Sequence, residues 1–220
     1  MTLDALIFDF DGTILDTESA DFAVLSEQYA AHGATLLPER WVLGLGTMGG
    51  WDPYGDLETH VGQPFDRAAS ELAHRARYRE LCDALDVRPG VLALIAAAQR
   101  RDIALAIASS SSAEWVGGWV ERHGLASAFT VIRTREAVRQ VKPAPDLFLS
   151  AAAGLGLAPA RCAVIEDSLN GMRAAYAAGM RCVAVPLPLI AMLELPPHTI
   201  RLETLDAMLP DELLDALAAA

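Results

Sequence analysis

The sequence predicts an α/β protein: a doubly wound parallel sheet with a Rossmann-like core, interrupted by an inserted helical cap domain. Three observations point there. Short apolar runs recur at residues 3–8, 103–108, 129–132, 162–165 and 182–185, each of strand rather than helix length. Most of them lead through polar or small residues into a helical pattern, the alternation that builds a parallel sheet covered on both faces. One stretch, from about Thr17 to Leu85, breaks that alternation with helical patterns and no convincing strand.

Taken in order, the first run ends in Asp9-Phe10-Asp11-Gly12-Thr13. Helical patterns at 22–32 and 66–85 then flank a glycine-rich loop, Gly44-Leu45-Gly46-Thr47-Met48-Gly49-Gly50-Trp51. This places the core at residues 1–16 and 87–220 and the helical cap at 17–86, with paired hinges near 16–19 and 84–88. Pro89-Gly90 opens an alanine-rich helix to about Arg101, with proline in the tolerated first turn. The run at 103–108 ends in Ser109-Ser110-Ser111-Ser112, before a helix that starts near Ala113. The run at 129–132 is weaker. The run at 162–165 ends in Glu166-Asp167-Ser168, and a helix over 170–178 is stopped by Gly179 ahead of the last run.

A chain of 220 residues can bury a real core. Its formal charge of -12, with no basic stretch, argues against nucleic acid or an anionic membrane as partner, because both require clustered cations. A phosphorylated small molecule remains compatible, because a bound metal supplies positive charge locally. The three cysteines (Cys82, Cys162, Cys182) are far apart and odd in number, which fits a reduced, cytoplasmic setting. No signal peptide or membrane span is expected, and no protein partner is evident.

The strand ends carry the chemistry, since open α/β sheets bind ligands at the C-terminal edge of their strands. Residues i and i+2 of an extended chain point the same way, so Asp9 and Asp11 face one site. One carboxylate can attack phosphorus, and the second can protonate the leaving oxygen and then activate water. The alternative for this segment is an acidic turn eased by Gly12. Ser109 either binds a phosphoryl oxygen or serves as a helix N-cap. Lys142, in Val141-Lys142-Pro143, is the only lysine beside 16 arginines, and either meets a carboxylate and a phosphoryl group or is a solvated side chain before a proline turn. Glu166 and Asp167 end a buried run, where adjacent acids are costly unless a cation holds them. Asp9, the Asp11 carbonyl and Asp167 make a reasonable Mg²⁺ ligand set, with Glu166 in support; the alternative is an acidic helix start.

As an ordered set, Asp9-Phe10-Asp11-Gly12-Thr13 with Asp16-Thr17-Glu18, Ser109, Lys142-Pro143, Glu166-Asp167-Ser168, Gly171 and Ala177-Ala178-Gly179 resembles the haloacid dehalogenase superfamily, specifically its β-phosphoglucomutase-like phosphatase branch. The resemblance implies a nucleophile at Asp9 and an acid/base at Asp11. It implies phosphoryl contacts at Ser109 and Lys142, Mg²⁺ held among Asp9, Asp11, Glu166 and Asp167, and a cap that closes over a small phosphorylated metabolite. Ser110, Gly46 and Thr47 are the further expected substrate contacts. The second aspartate favours phosphoryl transfer over carbon–halogen cleavage. The branch's sugar-phosphate mutases carry a hinge histidine where this chain has Asp21, a basic residue in the cap loop and a cap lysine, and both of the latter are missing here. Arg40, Arg75, Arg77 and Arg79 are the cations left to grip a second phosphate. Hydrolysis is therefore expected, with a mutase and a catalytically idle scaffold as alternatives. Trp51 and Tyr54 either line the cap or pack its helices, and His32, His60, His74 and His123 show no partner spacing.

Overall fold

Among the described residues (2–47, 49–62 and 66–220 of a computed structural model), six parallel strands form one sheet. They are β1 (Ala5–Phe8), β2 (Ala104–Ala108), β3 (Val131–Arg133), β4 (Cys162–Glu166), β5 (Arg181–Ala184) and β6 (Ile200–Arg201), in the order β3-β2-β1-β4-β5-β6. Each apolar run read as a strand is one, with its ends shifted by two residues or fewer. The sixth strand was not expected, because two residues are too few to show a period.

The sheet is buried on both faces, and the faces differ. Leu6, Phe8, Leu105, Ile107, Ile165 and Val183 point towards α5 (Val91–Arg100), α6 (Ala113–Arg122) and α9 (Pro210–Ala219). The alternate residues Ala5, Ile7, Ala106, Ala108, Cys162, Val164, Cys182 and Ala184 point towards α7 (Asp146–Leu155) and α8 (Leu169–Ala177). This is the period of two expected of a strand with both faces apolar; β2 and β5 put their smaller residues under α7 and α8, while Ile7 and Val164 keep that face branched under β1 and β4. Helix α5 buries Val91, Leu94, Ile95 and Ala98, the spacing of one helix face. Its start corrects the sequence reading: Gly90 is the N-cap, with φ +82°, and Pro89 precedes the helix instead of opening it.

Between β1 and α5 the described residues form four helices, α1 (Thr17–Ala31), α2 (Pro38–Trp41), α3 (Pro53–Val61) and α4 (Arg67–Cys82). Asp16 starts α1 earlier than its apolar pattern does, because its carboxylate accepts the Ser19 N–H at 3.0 Å. Asp66 caps α4 in the same way, through Ala69 N–H. Leu25, Tyr29, Trp41, Tyr54 and Leu57 form a separate apolar cluster, completed by Leu187 and Ile190 from the loop after β5. Met48, in the glycine-rich loop, lies outside the described residues. No helix among them is long and apolar enough to cross a membrane.

Candidate active site

The C-terminal ends of β1 and β4 are adjacent in the sheet, and their polar residues meet there. Asp9 N–H donates to the Ile165 carbonyl at 2.9 Å, carrying the β1–β4 ladder one residue past β1. Lys142 is fully buried between two carboxylates: Nζ donates to Asp9 Oδ1 and, at 2.8 Å, to Glu166 Oε2. The other Glu166 oxygen accepts from Asp167 N–H (3.1 Å), Ser168 N–H (2.9 Å) and the Ser168 hydroxyl (2.8 Å). Asp167 accepts from Thr13 through Oδ1 at 3.0 Å, while its Oδ2 is buried without a hydrogen-bond partner. Gly12 lies over that oxygen with φ +80°, and a Cβ there would stand 2.1 Å from it. Glycine is needed at that position both for its backbone angle and for the close approach.

Burial and the Glu166 carboxylate push the Asp9 carboxyl up to about 8, against the pull of Lys142. Asp167 is raised well above the usual carboxylate range, first by burial and then by Glu166 and Asp9. Burial alone would lower Lys142, but Asp9 and Glu166 outweigh it and hold the ammonium charged. The ammonium therefore pairs with two of the three buried carboxylates, and the third, Asp167, has only the more distant Arg88 guanidinium as a cation to draw it down. Asp9, Glu166 and Asp167 each offer an oxygen within 4.8 Å of the others, and the unpartnered Asp167 Oδ2 is one such acceptor. This donor set fits a hard divalent cation, which takes carboxylate oxygens and offsets the uncompensated charge.

The Asp11 side chain belongs to a neighbouring group. Asp11 sits in a turn bridged to Leu15, and its carboxylate is directed at the serine loop after β2. Oδ1 accepts from Thr17 Oγ1 (2.9 Å) and Trp115 Nε1 (2.8 Å), and Oδ2 from Ser111 Oγ (2.5 Å) and, more weakly, Ser109 Oγ (3.4 Å). The serines divide the work that the sequence left open. Ser112 is the N-cap of α6, accepting from Trp115 N–H at 3.2 Å, whereas the buried Ser109 accepts from Ser111 N–H at 3.0 Å and is not the cap. Ser110 donates to the Gly46 carbonyl at 2.8 Å, tying the glycine-rich loop to the sheet edge.

Asp9, Asp11, Ser109, Ser110, Gly46 and Thr47 all line one cleft of about 430 Å³, with Glu18, Tyr78 and Arg135. Through Glu18, Asp21, Gly44 and Thr47 it continues into a second chamber of about 350 Å³ walled by Trp41, Trp51, Tyr54 and His74. Trp51 and Tyr54 thus line the chamber while Tyr54 also packs the helical cluster. Three of the histidines do have partners, contrary to the sequence reading: His74 Nε2 lies 3.1 Å from Asp21 Oδ1, and the Nδ1 atoms of His32 and His60 lie 2.8 Å from the Gln28 and Asp56 carbonyls. Thr17, Ser111 and Trp115 were not singled out individually from sequence, since their contact with Asp11 spans as many as 104 positions and leaves no local pattern.

One neighbouring position is a direct test of how tightly the acids are held. A Cβ on Gly171, in α8, would lie 1.8 Å from Glu166 Oε2. Alanine gains about 1 kcal/mol of helix propensity over glycine, but overpacking a buried site costs about 1–3 kcal/mol or more. Gly171→Ala is therefore expected to lower stability in denaturant melts despite being the better helix former; a more stable variant would show that Glu166 has room to move.

Residues 6–185 match the family model for haloacid dehalogenase-like hydrolases. The chain is 40% identical over 213 residues to the Bacillus subtilis protein YhcW, which carries a phosphatase designation, covering 97% of both proteins. It is similar to the crystal structure of a CbbY mutant from Rhodobacter sphaeroides in complex with xylulose-(1,5)bisphosphate, at 30% identity and a TM-score of 0.73 over 93% of this chain and 95% of that one. The β-phosphoglucomutase of Clostridium difficile shares the fold, with a TM-score of 0.74 at 20% identity over 98% and 97% of the two chains. The chain belongs to the haloacid dehalogenase-like hydrolase family, as a phosphoric monoester hydrolase.

Proposed function

We propose that the protein hydrolyses a small phosphorylated metabolite, a sugar phosphate foremost, through an aspartyl-phosphate on Asp9. The observation that carries this reading is the buried Asp9 carboxylate, fixed by Lys142 at the floor of a cleft whose wall holds Asp11. Asp9 attacks phosphorus, the bond from phosphorus to the leaving oxygen breaks, and that oxygen takes a proton from Asp11. Water then attacks the phosphorus of the acyl phosphate and gives its proton to Asp11, which frees phosphate and restores the Asp9 carboxylate. Lys142 and Ser109 hold the phosphoryl oxygens during both steps. Asp9, Glu166 and Asp167, with the backbone carbonyl of Asp11, would hold Mg²⁺, which would neutralise charge that otherwise repels the phosphate from the nucleophile.

Helices α1 to α4 act as a cap of residues 17–86 over a core of 1–16 and 87–220. Two links cross the paired connections: Arg88 N–H donates to the Ile14 carbonyl at 2.9 Å, and Arg122 of α6 pairs with Asp83. Specificity belongs to the second chamber. Of the cap arginines, Arg75 lines that chamber, while Arg40 pairs with Asp56 at 2.7 Å, Arg67 with Asp52 and Glu71 at 2.9 Å, Arg77 with Glu80 at 2.8 Å and Arg79 with Asp83 at 3.5 Å. Glu18, Asp21 and Glu71 face the same space as Arg75. A second phosphate is poorly received in such surroundings, which favours hydrolysis over a mutase that must turn a bisphosphate round. The three cysteines are free and buried, as suits a reducing cytoplasm.

A panel of phosphorylated metabolites assayed with Mg²⁺ tests the reading. Free phosphate should appear, stop on chelation with EDTA and return with excess Mg²⁺. Isomerised hexose phosphate without free phosphate would favour the mutase, and no turnover of any ester would favour an idle scaffold.

A further inference from the structure

Trp115 stands in the first turn of α6, and its two edges meet different parts of the molecule. Its indole N–H donates to Asp11 Oδ1 at 2.8 Å. Its ring stacks on Tyr78 of α4, with centroids 5.4 Å apart and planes at 15°. Trp119, one turn further along α6, packs edge-on at 5.5 Å, and Arg79 of α4 lies over both indoles, at 6.0 and 5.0 Å. A single side chain thus joins the Asp11 carboxylate to a helix of the segment between β1 and α5.

We propose that Trp115 is a positioning residue: it orients the Asp11 carboxylate for proton exchange with the leaving group, and it makes that orientation depend on the seating of α4 through Tyr78. The inference rests on the acid/base role given to Asp11 above. The argument lies in the kinds of donor around the carboxylate. Hydroxyls donate or accept as they rotate, but an indole N–H only donates. Trp115 therefore holds Oδ1 as an acceptor and leaves Oδ2, among the Ser109 and Ser111 hydroxyls, as the oxygen that exchanges a proton. Those two hydroxyls can reverse direction as the proton leaves and returns. The indole is also rigid and wedged between rings, so it fixes the plane of the carboxylate better than Thr17 or Ser111 can. If α4 shifts, Tyr78 shifts the ring and the carboxylate follows it.

The test separates orientation from folding by the leaving group. An alkyl phosphate expels an alcohol that needs the Asp11 proton, whereas p-nitrophenyl phosphate expels a stable anion that does not. Trp115→Phe keeps the ring stack and removes the N–H. It is expected to lower kcat/KM for the alkyl ester by about 10–100-fold, a part of what general acid catalysis supplies, and for p-nitrophenyl phosphate by less than about threefold. Tyr78→Leu, which removes the ring that Trp115 stacks on, should show the same selectivity more weakly, and Tyr78→Phe, which keeps that ring, should show a smaller selectivity than Tyr78→Leu. The Tyr78 pair keeps the inference testable should Trp115→Phe fail to fold. Equal losses on both esters, no loss on either, or a faster variant would overturn it. A wild-type protein that turns over neither ester, or an Asp9→Asn variant as active as wild type, would instead bring down the phosphatase reading, and this inference with it.

Discussion

Replacing Asp9 with asparagine is expected to reduce phosphate release by at least about 10⁴-fold, the scale on which losing a covalent nucleophile is felt. Asparagine has the same shape and retains an acceptor for Lys142, so the loss should come without unfolding. Stability gives an independent readout. The folded Asp9 carboxyl titrates at about 8, against 3.8 for the free side chain, so between those values the folded protein binds more protons than the unfolded one. Metal-free stability must therefore fall as pH rises through that window, and Asp9→Asn removes its share of the slope. Denaturant melts in EDTA between pH 4 and 8, with wild type and variant side by side, measure it. A wild-type curve that climbs with pH would contradict the burial argument, and an active D9N would contradict the chemistry.

Lys142→Met should have the largest effect on the fold itself. The lysine is buried, shared by Asp9 and Glu166, and its Nζ lies 4.9 Å from the centroid of the Phe148 ring. Methionine fills similar space but leaves Asp9 and Glu166 without their ammonium in the absence of metal. Breaking a buried pair in this way costs about 3–5 kcal/mol. The loss should shrink when Mg²⁺ is added, because a cation among the same oxygens takes over part of the neutralisation. Activity should fall by about 10²–10³-fold even where the variant remains folded, the usual effect of removing one electrostatic contact to a reacting group. Arginine is not expected to rescue either property, since its planar fork does not fit a site made for a point charge. Equal melting of wild type and Lys142→Met in EDTA would show that the triad is not held by this lysine.

The legible parts of the sequence are those where chemistry and local pattern coincide. Strands β1, β2, β4 and β5 announce themselves as apolar runs, and the acids at the ends of β1 and β4 stand out because charge follows burial so abruptly. Lys142 stands out by rarity. The surroundings of Asp11 were harder to read. The rule of alternation places Asp9 and Asp11 on one side of a strand, but β1 ends at Phe8, and Asp11 reaches the cleft through a turn. Its partners come from 6, 98, 100 and 104 positions away, brought there by the crossing from β1 to β2. Four consecutive serines are interchangeable on paper, and only tertiary geometry decides that Ser112 caps while Ser109 faces inward. Asp21 and His74 are likewise paired by the packing of α1 against α4, a relation with no sequence period.

The unequal faces of the sheet set how far this chain can drift. Helix α7 rides on β1, β2 and β3, with Ala106 and Ala108 of β2 between Ile7 of β1 and Val131 of β3, and the turn that presents Lys142 lies four residues before it. A larger side chain at Ala106 or Ala108 would lift that helix and draw the lysine away from its acids. On the opposite face, leucine, isoleucine and phenylalanine can trade places at modest cost, provided their total volume is kept. Descendants of this sequence are thus free to vary under α5, α6 and α9 and confined under α7 and α8, and a library randomised on one face only would show that asymmetry as a difference in the fraction of active clones.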